Sequence, residues 1–252
     1  MSNKNYTYSG WAYEKTVQSQ EILNALLEGK KAHRAMMIIA NTGLGKSGSC
    51  SKFLEKESKH TYRITVGDSW RPIHLVDAIM SVFGIVKNWK NTENSINRKL
   101  RAIADKLVHL KNAGARVQII IDEAENLKPA FLKMIKELHD AIIEHCSYTL
   151  IGTPYLLESL LNSKQKNRMS VPQLHRRLKA GTRLITDINK ARDFAPFFKR
   201  HIDPYKDVQD LVLEYADNYG ELHDYLDPFL QHCHDNDVHP SGKLFRFFHQ
   251  LK

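Results

Sequence analysis

The sequence predicts an α/β protein, a parallel sheet covered by helices on both faces and followed by a small all-helical subdomain. Three observations predict it. Apolar strands alternate with helical patterns between residues 35 and 185. The first strand runs into a glycine-rich turn and then a helix. Beyond residue 188 the strand signals stop, and helical stretches broken near Pro204, Gly220 and Pro240 take over. The resulting division is an N-terminal segment (1–18), an α/β core (19–188) and a helical lid (189–252).

Each element has its own signal. The polar and aromatic start carries Trp11 and Tyr13 as anchors for a segment lying over the main domain. From Ser19, Ile22, Leu23, Leu26 and Leu27 recur at helical spacing, and Gly29 stands where that helix would stop. Ala35–Ala40 is apolar on both faces, as a central strand of a parallel sheet should be. A helix follows over Gly48–Ser58, and further strands are expected at Tyr62–Val66, Val117–Ile121, Tyr148–Ile151 and Arg183–Ile185. Helical patterns fall at Leu75–Phe83, Ile96–Leu110, Pro129–Glu144 and Tyr155–Leu161.

Composition excludes several classes. With 252 residues, 42% hydrophobic and 26% charged, the chain can bury a core without disulfide staples, and it is neither low-complexity nor fibrous. Cys50, Cys146 and Cys233 are odd in number and unpaired in spacing, which points to a reducing, cytoplasmic setting. The start has no apolar leader, and no apolar run approaches the roughly 20 residues that span a bilayer. A net charge of +9 suits a polyanionic partner. Twelve Lys/Arg against three acids lie between Lys164 and Lys206, and the remainder of the chain balances.

The chemistry starts at Ala40-Asn41-Thr42-Gly43-Leu44-Gly45-Lys46-Ser47, followed by Gly48. It fits the phosphate-binding loop GxxxxGK[ST] apart from Ala40 in place of the first glycine. In such a loop the backbone N–H groups point at phosphate oxygens, Lys46 reaches the β and γ phosphates, and the Ser47 hydroxyl ligates Mg²⁺. The following helix adds the positive end of its dipole. Val117–Glu123 is an apolar strand ending in two acids. Asp122 suits the magnesium role and Glu123 the activation of the attacking water. Thr153, at the end of the next strand, would sit beside the γ phosphate if that strand neighbours the other two.

These motifs, with the arginine pair in Leu174-His-Arg-Arg-Leu178 before a last strand and the helical tail, resemble the AAA+ ATPases over roughly residues 15–252. The resemblance implies a P-loop NTPase sheet of order 5-1-4-3-2, with ATP and Mg²⁺ bound between the core and the lid. It also implies an arginine finger acting on a neighbouring subunit, at Arg176 or Arg177. The lid position called sensor 2 would fall in Gly220-Glu-Leu-His223, with histidine where arginine is expected, or at Arg246. Within the family, the compact module and the Ala32-His-Arg-Ala-Met-Met-Ile-Ile39 approach resemble the DNA-transposition regulators of the MuB, TnsC and TniB type. That likeness implies slow ATP hydrolysis, ATP-dependent filaments on duplex DNA without sequence preference, and a transposase as client.

A nucleic-acid partner has separate support in the basic residues. Along 96–110, Arg98, Lys99, Arg101 and Lys106 lie off the apolar stripe and are expected to face solvent. Lys90, Arg98, Lys99 and Arg101 are the candidate DNA contacts, with Trp70 and Arg71 behind them; contacts of this kind go to phosphates and are salt-sensitive. The cluster His232-Cys233-His234-Asp235 with His239 lacks zinc-type spacing and reads as a polar helix end. Phe245, Phe247 and Phe248 read as lid packing. Competing readings are a helicase loader or replication initiator of the same architecture, a small-molecule P-loop phosphotransferase, and a nucleotide-gated adaptor with little hydrolysis.

Overall fold

The computed structural model describes residues 6–85, 96–127, 129–165 and 171–251. Five strands, β1 (Ala35–Ile39), β2 (Thr61–Thr65), β3 (Val117–Asp122), β4 (Cys146–Gly152) and β5 (Thr182–Leu184), form one sheet in the order β2-β3-β4-β1-β5. All four pairings are parallel, and the order is the expected 5-1-4-3-2 read from the other edge. The helices of this part are α1 (Val17–Ala32), α2 (Lys46–Lys56), α3 (Pro72–Val82), α4 (Ile96–Asn112), α5 (Pro129–Ile142), α6 (Pro154–Gln165) and α7 (Val171–Lys179). Strands β1, β3 and β4 are buried along their whole length, which explains the unbroken apolar run of β1 and the Ile119–Ile121 run of β3.

Contacts divide the chain into two units. The larger comprises Glu21–Asn41 and Lys46–Ile185. On one face of its sheet Met37, Ile39, Ile119, Ile121, Tyr148 and Leu150 pack with helical residues such as Leu75, Ile103, Ile135 and Leu174. On the other, Gln118 Nε2 donates to the Leu26 carbonyl of α1 at 2.9 Å.

Two elements differ from expectation here. Helix α1 continues through Gly29 to Ala32. Gly29 is a point of close approach rather than a stop, because a Cβ there would come 2.7 Å from Met36 Cγ. Helix α7 was not foreseen; its Val171, Leu174 and Leu178 are buried at helical spacing, a stripe too short to stand out in the sequence.

The smaller unit comprises Thr186–Lys252, Thr42–Gly45 and the described residues up to Gln20. Its helices are α8 (Lys190–Asp193), α9 (Ala195–His201), α10 (Lys206–Tyr215), α11 (Tyr219–Asp235) and α12 (Gly242–Phe248). Its core gathers Phe194, Phe198, Val212, Leu226, Phe229 and Phe245. Trp11, expected over the main domain, instead stacks on Phe197 and His201 of α9, with ring centroids 5.3 and 5.2 Å away. The Tyr8 hydroxyl donates to Asp227 at 2.6 Å. A helical unit this small buries little by itself, and the N-terminal aromatics enlarge its core. Cys233 is buried there, and His234 Nδ1 accepts the Tyr8 N–H. Phe245 is buried and Phe248 packs on Phe229, whereas Phe247 is 81% exposed and lies outside the packing expected of it. Among the described residues no helix is long and apolar enough to cross a membrane.

Candidate active site

The fold brings the candidate side chains to the carboxyl ends of three adjacent strands. Strand β4 stands between β1 and β3, with Ile39 opposite Gly152 and Ile121 opposite Leu150. The turn after β1, the acids after β3 and Thr153 after β4 therefore share one end of the sheet. Open parallel sheets bind ligands at this end.

The turn after β1 needs its glycines. Gly43 and Gly45 have φ of +77° and +75°, in the left-handed region where a side chain is strained. Ala40, the departure from the motif, is buried at the strand end, and its N–H donates to the Gly152 carbonyl at 3.0 Å. Its methyl thus sits in strand pairing, before the turn begins. Lys46 opens α2 and folds back over the turn, donating from Nζ to the carbonyls of Ala40 and Asn41 at 2.9 and 3.0 Å. Burial pulls its ammonium below the usual lysine range, while the carboxylates of Glu125, Asp122 and Glu123 pull the other way, in that order. Ser47 is exposed on the first turn of α2.

Asp122 is 1% exposed. Arg63 of β2 holds it from the side, with Nε donating to Oδ2 at 3.1 Å and Nη2 donating to the same oxygen. The Glu123 N–H donates to the other oxygen at 3.0 Å. Glu123 adopts φ +54°, an uncommon conformation for a residue with a side chain, and is exposed at the strand end. Glu125 follows in the 3-10 turn Ala124–Asn126, and its buried Oε2 has no hydrogen-bond partner among the described residues. A side chain at Gly152 would come 3.0 Å from that oxygen. Burial, with the Asp122 charge adding to it, pushes the nearby Cys50 thiol up to about 12, so it serves as packing rather than as a nucleophile.

The donor set fits a magnesium nucleotide. It offers a turn with two glycines in the left-handed region, a lysine, an exposed hydroxyl, a buried aspartate and an unpartnered carboxylate oxygen. The family motif covering residues 29–161 is that of an AAA domain. The chain belongs to the AAA domain family. Membership implies nucleotide binding and hydrolysis, with a divalent metal.

Solved structures establish the fold of this AAA protein. The Walker-type ATPase PABY2304 of Pyrococcus abyssi superposes with TM-score 0.56 at 19% identity, covering 86% of this chain and 67% of that one. The RuvB Holliday junction branch migration motor of Thermotoga maritima gives 0.55 at 11% identity, with 92% and 67% covered. Replication initiator DnaA, bound to AMPPCP and single-stranded DNA, gives 0.56 at 12%, with 95% and 67% covered. No curated protein matches this AAA protein in sequence.

The remaining expected residues are scattered. Arg176 is exposed on the last turn of α7, whereas Arg177 pairs with Asp140 of α5. In the helical unit, His223 meets Trp11 edge-on at 5.1 Å and lies 3.0 Å from Asp224 Oδ1, and Arg246 lines a cleft with Asp207, Asp210 and Glu214. Within that same unit, other residues meet the loop segment 42–45. The Tyr219 N–H donates to the Gly43 carbonyl at 3.0 Å, and a Cβ on Gly43 would come 2.1 Å from Asn218 Oδ1.

Of the basic residues on α4, Arg98 and Arg101 are exposed and Lys106 is half-buried. Lys99 corrects the expectation of a solvent-facing charge. It is 5% exposed, with Nζ 2.6 Å from Asp77 Oδ1. Position 99 lies one turn before buried Ile103, so its stem follows the apolar face and only the ammonium escapes, toward α3. Lys90 lies outside the described residues.

Arg63, Glu125, Asn218 and Tyr219 were missed by the sequence reading. Glu125 had a signal in the acid two positions beyond Glu123. The others had none, because their roles come from chain segments brought together by folding.

Proposed function

We propose that this chain is a slow, magnesium-dependent ATPase that assembles on duplex DNA without sequence preference and passes that DNA to a transposase in the cytoplasm. The observation that carries the ATPase reading is the gathering of Lys46, Asp122, Glu123, Glu125 and Thr153 at the ends of β1, β3 and β4. Lys46 and the N–H groups of 41–48 would hold the β and γ phosphates. Ser47 and Asp122 would hold Mg²⁺, which when bound supplies charge neutralisation on the phosphates. Glu123 accepts the proton of the attacking water, and Thr153 senses the γ phosphate or positions that water. Arg176 reaches a neighbouring subunit, because Arg177 is held by Asp140 within its own chain.

The DNA reading rests on the excess of cations between 164 and 206 and on exposed Arg98 and Arg101. Few phosphates are met by one subunit, so useful affinity needs several subunits on one duplex. The fold shared with DnaA favours a second reading, a replication initiator or helicase loader. Electron microscopy of the protein with ATP and linear duplex separates them. Continuous filaments are expected, and closed rings select the second reading. ATP hydrolysis should rise when duplex is added; hydrolysis indifferent to DNA would point to a small-molecule phosphotransferase.

A further inference from the structure

The opposite end of the sheet, where the strands begin, holds a recess of about 330 Å³ lined by Lys30, Glu57, Lys59, His60, Gly114 and Arg116 among others. Lys30 is buried and fully engaged. Its Nζ donates to Glu57 Oε2 at 2.8 Å, to Thr61 Oγ1 at 2.9 Å, and to the carbonyls of Glu57 and Lys59 at 3.2 Å. Glu57, the acid of the recess, is thereby neutralised.

The outer cations are not neutralised. Lys59 and Arg116 are exposed, and neither is paired with a carboxylate among the described residues. Lys111 donates to the Glu144 carbonyl, so its contact leaves its charge uncompensated. Beside them, burial holds His33 below the usual histidine range, and Arg116 and Lys111 lower it further with no carboxylate opposing. A concave, positively polarised surface with idle guanidinium and ammonium groups fits a phosphate.

Helix α4 links this recess to the other cations. It runs from exposed Arg98 and Arg101 to Lys111, and Arg116 follows before β3. At 1.5 Å per residue the helix carries the cations across roughly 20 Å, about six phosphates along one strand of a duplex.

We propose that the recess is a second contact site for a nucleic-acid backbone, with Lys59 and Arg116 as its phosphate ligands. This rests on the reading that the chain binds duplex DNA, and adds a face to it.

The test is binding of a fluorescent 30-base-pair duplex, with ATP and magnesium, across a salt series. The parent is compared with Lys59→Glu/Arg116→Glu and with the milder Lys59→Gln/Arg116→Gln, which keeps the fold if charge reversal does not. Loss of two phosphate contacts lowers the magnitude of the slope of log affinity against log salt by about 2 and weakens binding about 60-fold at 0.1 M salt. A glutamine double variant with the parent's slope and affinity overturns the inference while leaving DNA binding intact. A parent that holds no duplex overturns the DNA reading and the inference together. Ring signals of His33 and His60 followed by NMR should move with duplex and stay still with inorganic phosphate at equal phosphate concentration. Movement with inorganic phosphate alone would assign the recess to a small anion and overturn the proposal.

Discussion

Arg63 of β2, half-buried, and Asp122 of β3, buried, form an ion pair, with both Nε and Nη2 donating to one carboxylate oxygen. The aspartate read as the magnesium ligand is thus compensated in advance by a cation from the neighbouring strand. Arg63 also reaches α2, where Nη1 lies 3.3 Å from Ser51 Oγ.

Arg63→Met should therefore do two things. It strands a carboxylate that is 1% exposed, at a cost of about 2–3 kcal/mol for leaving a buried charged acceptor without its donor. It also removes the charge that competes with magnesium, so magnesium and ATP together should raise the melting temperature more in the variant than in the parent. Differential scanning fluorimetry reads both effects, and an equal rise in the two proteins would refute the second.

Glu125 is the carboxylate with the strongest pull on Lys46. Glu125→Gln keeps its shape and removes that pull, so burial lowers the Lys46 proton affinity further. The ammonium is then lost at a lower pH, and ATP affinity should fall more steeply between pH 7 and 9 in the variant than in the parent. Isothermal titration calorimetry at the two pH values tests this. Parallel pH dependences would mean that Glu125 does not govern Lys46.

The two arginines of α7 should separate cleanly. Arg176→Ala is expected to leave the melting temperature unchanged and to abolish ATP-dependent assembly, read by light scattering. Arg177→Ala breaks the half-exposed pair with Asp140 and should cost about 0.5–1 kcal/mol of stability with assembly retained. The reverse pattern would move the finger to Arg177.

Acid should destabilise the fold before its carboxylates titrate. Burial lowers the proton affinity of His33, His139, His201 and His249. Unfolded histidines take up protons near pH 6.5, whereas these stay neutral, so the unfolded state binds more protons as pH falls. Stability is then fully present above about pH 6.5 and declines below it. A melting temperature at pH 5.5 equal to or above that at pH 8 would contradict this sign.

Local signals carried much of this protein. The strand, glycine turn and helix around Lys46 were legible because a phosphate loop needs consecutive residues. The apolar run ending in Asp122-Glu123 was legible because a strand covered on both faces has no polar alternation to blur it. Where chemistry depends on neighbours in space, the sequence was silent. Lys99 looked solvent-facing by its charge, but the width of the apolar face of α4 and a carboxylate on α3 decided otherwise. Gly29 looked like a helix end and proved to be the place where α1 meets Met36.

The sequence by itself determined the fold class, the strand order through its family resemblance, and which residues are proposed to grip and cleave a triphosphate, since these follow from short-range pattern. Only the tertiary structure decided which charges are spent. Arg63 is committed to Asp122, Arg177 to Asp140 and Lys30 to Glu57, whereas Arg176, Lys59 and Arg116 are left exposed. The reason is physical: a charge is neutralised by whatever lies within a few ångströms, and residues 59 or 37 positions apart become neighbours only when the sheet and its helices have packed.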